Sequence, residues 1–119
     1  MPTPQPQNTI IDAKTSEEQF LADVIAQAAA GKVQASLVAV HGHVLDLLMD
    51  GDFEDCDYLL SRIDTERTDT DILLSFVIST ANVSPERLPG RAELFKKVRN
   101  RLADEIGEPE AADAIDRFA

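Results

Sequence analysis

Apolar residues recur along most of this chain at intervals of three and four, the spacing of one face of an α-helix. The pattern predicts six helices, at residues 15–31, 32–50, 52–63, 71–82, 91–106 and 110–118. Four of the five glycines fall at the ends of these segments, where helices commonly stop. The sequence therefore predicts an all-α fold, a compact single-domain bundle of five to six amphipathic helices.

The first 14 residues differ in composition from the rest of the chain. Three of the six prolines lie among them, together with Gln, Asn and Thr. Such a segment buries too little apolar surface to offset the entropy lost on ordering, so we expect residues 1–14 to be a flexible, disordered tail and 15–119 to be the helical domain. Thr15 and Ser16 precede Glu18 and Gln19 by three residues, which predicts a capping box at the start of the first helix.

Two of the predicted helices carry unusually broad apolar faces. In the second helix Val38 and Leu45 widen the main stripe, which is typical of a helix with neighbours on two sides. Gly42 lies in the middle of that helix at a cost of about 1 kcal/mol relative to alanine, and we expect a close helix crossing to explain it. The fourth helix is apolar almost all round, so we expect it to be the most buried element.

The charge of the chain is strongly acidic, with 22 Asp and Glu against 11 Lys and Arg, and a formal net charge of −11. Its field repels phosphates, which disfavours non-specific binding to nucleic acid or to an anionic membrane. No apolar run approaches the ~20 residues of a membrane helix. The single cysteine is typical of a reducing compartment and favours a cytoplasmic location.

Sequence motifs for catalysis or for calcium binding fail when they are tested. The acidic segment from Asp50 lacks the glycine and the final glutamate of an EF-hand loop, because Asp55 and Ser61 occupy those positions. Acidic neighbours raise the pKa of Cys56, and its place on an apolar stripe predicts a small buried side chain. There is no phosphate-binding glycine loop, CxxC pair or nucleophile elbow, so the sequence predicts a protein that is not an enzyme and needs no cofactor.

A cluster of histidine and aspartate residues is the main alternative site. His41 and His43 point about 200° apart on a helix, so they cannot share one metal ion. His43, Asp46 and Asp50 share a face and offer one nitrogen and two carboxylates, but a metal would still need a fourth ligand. We expect His43 to be an exposed imidazole beside acidic neighbours, and a small metal-dependent enzyme or binder built on His41, His43, Asp46 and Asp50 is the alternative.

Charge reverses sign in residues 87–106, where six Lys and Arg face three acids. The functional hypothesis is a cytoplasmic protein-interaction module, such as a small acidic accessory, adaptor or inhibitor, that binds a protein partner through charged helical faces. The predicted contact residues are Arg91, Lys96, Lys97 and Arg101 on the cationic helix, and Asp46, Asp50, Glu54 and Asp57 on an acidic strip. One alternative is internal pairing of the basic residues. Another is a symmetric homodimer in which the cationic helix of each copy meets the acidic face of the other. A third is a structural subunit of a homo-oligomer in which the broad apolar faces of the second and fourth helices meet.

Overall fold

Six helices account for most of residues 13–118, the part of the chain that the structure, a computed structural model, describes. They are α1 (Ala13–Ala29), α2 (Val33–Met49), α3 (Phe53–Ser61), α4 (Thr70–Ser79), α5 (Arg91–Ile106) and α6 (Glu108–Ile115), followed by a 3₁₀ turn, Asp116–Phe118. No strand occurs within this range, so the prediction of an all-α bundle is confirmed. The predicted tail lies outside the described residues as far as residue 12, and its last two residues belong to α1.

Helix ends differ from the predicted ends where a side chain bonds locally. Thr15 and Ser16 lie inside α1, so neither caps it and the capping-box prediction is wrong. Ala13 and Lys14 both have a high helix propensity, so the helix already includes the two residues that precede Thr15. At the other end of the bundle, α4 stops at Ser79 rather than 82, and the hydroxyl of the following Thr80 donates to the carbonyls of Phe76 and Val77 in the last turn.

The core lies where α4 meets its neighbours. Ile72, Leu73, Phe76 and Val77 of α4 are all 0 % exposed, which confirms that this helix is the most buried element. It packs against α2 on one side and α5 on the other. Helices α1 and α3 close the first half of the bundle over α2, and α6 covers α5. Burial of this aliphatic surface, at roughly 25 cal/mol per Å², is the main stabilising term.

Helix α2 contacts α1, α3 and α4 but leaves one of its faces exposed. Its buried residues are Ser36, Val40 and Val44, whereas Val38 is 74 % exposed and Leu45 44 % exposed. The prediction that Val38 and Leu45 widen a packed face is therefore wrong. Gly42 is not at a helix crossing either, since a Cβ added there would meet nothing within 4 Å. An apolar helix face is thus left without a neighbour inside this part of the chain.

Candidate functional site

The predicted cationic surface on α5 is largely used inside the protein. Arg91 is only 9 % exposed, and its Nε donates to Thr80 Oγ1 at 2.8 Å. Its Nη2 donates to the carbonyls of Val77, at 2.8 Å, and of Phe118. Arg91, one of the predicted contact residues, is thus buried rather than on the surface, and its guanidinium ties α5 to the end of α4 and to the C-terminal turn.

Two further arginines of α5 are held by groups on neighbouring segments. Arg101 Nη1 donates to the carbonyls of Thr65 and, at 2.9 Å, of Thr68, while its Nε donates to Glu105 at 3.1 Å. Arg99 pairs with Glu108 at 2.7 Å and with Asp116 at 2.8 Å. Internal pairing, one of the two interpretations of this helix, therefore describes Arg99 and Arg101.

Lys96 and Lys97 remain as surface cations on α5. Both are exposed, and neither forms an ion pair with any group in residues 13–118. Two lysines without a fixed geometry form a small and adaptable positive patch. This is the part of the predicted cationic surface that stays open to a partner.

Three of the four residues of the predicted acidic strip are exposed, and the fourth forms a hydrogen bond inside the protein. Asp46, Asp50 and Glu54 are exposed. Asp57 instead accepts a hydrogen bond from the backbone N–H of Gly90 at 2.7 Å, which fixes the start of α5 against α3. A Cβ at position 90 would lie 2.9 Å from the same carboxylate oxygen, so any larger residue there would require the Asp57 side chain to shift. Asp57 therefore positions α5, and three carboxylates remain available on the surface.

The side chain of His43 contacts residues of α1 rather than its acidic neighbours on α2. Its Nε2 lies 2.5 Å from Glu17 Oε1, and its ring stacks on Phe20 with centroids 4.1 Å apart. Glu17 is 4 % exposed and His43 is half-buried, so this pair is a partly buried link between α1 and α2. The expectation that His43 is simply exposed is wrong. Glu17 was missed, although it precedes Leu21 and Val24 at the spacing of the buried stripe.

The metal hypothesis finds no donor set in the structure. His41 Nδ1 lies 3.3 Å from Ser79 Oγ, away from the Glu17–His43 pair. Over residues 13–118 no group of three or more His, Cys, Asp or Glu side chains could hold a metal ion.

Cys56 is buried in the core among apolar side chains, as its place on the α3 stripe predicts. Burial, followed by the nearby carboxylates of Glu17 and Asp57, raises the pKa of its thiol to about 12. A thiol with so high a pKa stays protonated at neutral pH and is a poor nucleophile.

A further exposed surface, which only the homo-oligomer alternative placed at an interface, is the outer side of α2. Val38, Gly42, Leu45 and Met49 follow one another at intervals of four, three and four, which places them on one stripe. Val38 is 74 %, Leu45 44 % and Met49 76 % exposed. We call these four residues the α2 outer face. Asp46 is the only formally charged residue among the 17 of this helix, which is unusual for a helix so open to water.

Similarity to known proteins does not assign a role to these surfaces. Comparisons with protein-family models, with curated protein sequences and with solved structures find no match for this chain. None of the helices described here has the length and the apolar character needed to cross a membrane.

Proposed function

We propose that this protein is a non-catalytic protein-interaction module whose partner binds the α2 outer face. The observation that carries the proposal is the exposure of three large apolar side chains, Val38, Leu45 and Met49, on one stripe of one helix. Single exposed apolar residues are ordinary, but contiguous apolar patches on a monomer commonly mark interaction sites. The α2 outer face has the anchor spacing of helices that bind in an apolar groove.

The chemistry of the partner follows from the charges around this face. Asp46 and Asp50 are exposed on the same helix and at its end, and α2 carries no lysine or arginine. The complementary partner is a protein with an apolar groove bordered by Lys and Arg, since interfaces place an apolar centre inside a polar rim. At 1.5 Å per residue the 17 residues of α2 extend about 25 Å, enough for a groove of ordinary interface size.

A second copy of the chain fits this face less well. Each copy has a net charge of −11, so two copies repel one another, and pairing of the α2 outer faces would bring Asp46 of each towards the other. A basic partner instead gains from the same field, which increases the rate of encounter. The occupant we propose is accordingly a different, basic-rimmed protein.

The experiment that tests the proposal compares capture of one identified partner by matched variants. The test variant is Val38→Asn with Met49→Asn, because both side chains are mostly exposed and their replacement leaves the core unchanged. The control is Ile106→Asn, an apolar residue on α5 that is 48 % exposed. A second test variant, Lys96→Glu with Lys97→Glu, examines the remaining cationic surface.

We expect the purified partner to bind the wild type and the Ile106 variant equally, and the α2 variant at least about tenfold more weakly, since buried apolar anchors dominate such interfaces. Affinity should also decrease as salt screens Asp46 and Asp50. Unchanged binding by the α2 variant would refute the proposed site. Loss of binding only in the lysine variant would move the interface to α5.

A further inference from the structure

A cavity of about 330 Å³ lies between the segment that follows α4 and the first turns of α5. Its lining is apolar except for one side chain, that of Arg91. The apolar residues that matter here are Val83, Pro85, Leu88, Ala92 and Phe95. Small-molecule sites in proteins have this character, with volumes from about 300 Å³, mostly apolar walls and a few polar groups that orient the ligand.

The guanidinium of Arg91 has hydrogen-bonding capacity that the protein does not use. Of its five N–H donors, the one on Nε bonds to Thr80 and the two on Nη2 bond to the carbonyls of Val77 and Phe118. The two donors on Nη1 have no acceptor among residues 13–118. Arg91 as a whole is 9 % exposed, and polar groups of side chains this buried are nearly always paired in native proteins, so two donors without an acceptor require an explanation.

Arg91 also lacks a negative partner, in contrast to its neighbours on α5. The half-exposed Arg99 and Arg101 each pair with carboxylates, whereas Arg91, the most buried of the three, forms no ion pair with any group in the described range. All three acceptors of its hydrogen bonds are neutral oxygens. Burial lowers the pKa of Arg91, and a buried cation of this kind is stabilised by a nearby anion.

We propose that this cavity binds a small molecule with one carboxylate and a short apolar body. The carboxylate accepts hydrogen bonds from Nη1 of Arg91, supplying the missing negative charge and the missing acceptors. The apolar body lies against Leu88 and Phe95 in the rest of the cavity. The α5 N-terminus, which begins at Arg91, adds a favourable electrostatic field for an anion. This site is separate from the α2 outer face and does not depend on the proposed function.

Hexanoate is a suitable probe, and hexanamide is its neutral counterpart. Amide chemical shifts of ¹⁵N-labelled protein would be followed during titration with each compound. We expect hexanoate to shift the resonances of residues 81–95, and hexanamide to bind at least about tenfold more weakly because it lacks the charge that the guanidinium recognises. No shift with hexanoate, or equal affinity for the two compounds, would overturn the proposal.

Variants of the cavity wall keep the test independent of the structural role of Arg91. Ala92→Leu fills the cavity from an exposed helical position, and Asn100→Leu adds the same side chain on α5 away from the cavity. We expect Ala92→Leu to abolish hexanoate binding and Asn100→Leu to leave it unchanged. Equal binding by both variants would show that hexanoate binds elsewhere, which would refute the site.

One further variant tests whether the anion that binds Arg91 is a free ligand or a carboxylate of the chain itself. Ala119 lies outside the described residues and follows Phe118, whose carbonyl accepts from Arg91. A Gly-Gly extension after Ala119 displaces the carboxylate of that residue. Equal affinity for hexanoate with and without the extension supports the proposal. Binding only in the extended protein would assign the anion of this cavity to the chain itself, and would overturn it.

Discussion

Cys56 shows how its surroundings set the chemistry of a single residue. The thiol is buried, and burial together with the carboxylates of Glu17 and Asp57 raises its pKa to about 12. The sequence predicted both the burial and the direction of the shift, since the residue lies on the α3 stripe between acidic neighbours. It did not indicate Glu17, which is distant along the chain and approaches only when α1 packs on α3.

We predict that the free energy of unfolding decreases at alkaline pH because of Cys56. The native state favours the protonated thiol, so this contribution is complete below about pH 9 and is lost as the pH rises towards 12. Urea denaturation of wild type and of Cys56→Ala at several pH values measures it, and the variant should show the smaller decrease. Iodoacetamide should label native Cys56 at pH 8 far more slowly than the unfolded chain. Rapid native labelling would contradict the assignment of a buried neutral thiol.

The contact between the buried Glu17 and the half-buried His43 yields a second prediction at this scale. Replacing His43 with alanine leaves the Glu17 carboxylate, which is 4 % exposed, without its partner. We expect a loss of about 1–3 kcal/mol in the free energy of unfolding, the usual cost of an unpaired buried polar group. Chemical denaturation of the two single variants, His43→Ala and Glu17→Gln, and of the double variant measures the coupling. Strictly additive effects would show that the contact adds no stability of its own.

At the scale of the helices, periodicity located the elements but not their exposed sides. The 3.6-residue period identified all six helices, because each one buries a stripe. A stripe does not show how many neighbours a helix has. For α2 the broad face was interpreted as packed throughout. Helices α1, α3 and α4 do contact α2, but Val38 and Leu45 lie on the side that none of them covers. Arg91 gave a similar signal, since it precedes Leu94 and Val98 at the spacing of the buried face of α5.

The basic residues of α5 divide into structural and free groups, and stability measurements should separate them. Arg101 bonds to the carbonyls of Thr65 and Thr68 in the α3–α4 connection, whereas Lys97 is exposed. We predict that Arg101→Met lowers the free energy of unfolding by about 1–3 kcal/mol and that Lys97→Met changes it by less than about 0.5 kcal/mol. Equal effects of the two substitutions in urea denaturation would contradict the structural role given to Arg101.

For the whole molecule, the balance of charge bears on self-association. The net charge of −11 should keep copies of this chain apart at low salt, even though the α2 outer face is apolar. We predict that sedimentation equilibrium in dilute, low-salt buffer gives the monomer mass of 13.0 kDa. A stable species of twice that mass under the same conditions would support the alternative of a homodimer.

Site-specific photo-crosslinking tests the central claim most directly. Benzoylphenylalanine replaces Met49 on the α2 outer face in one variant and Ile106 on α5 in a control, both being exposed apolar positions. Irradiation of the cells that express the protein should produce one discrete adduct from position 49, with a partner whose mass differs from that of this chain, and no matching adduct from position 106. Adducts of equal yield from both positions, or none from position 49, would contradict the assignment of the α2 outer face as the interaction surface.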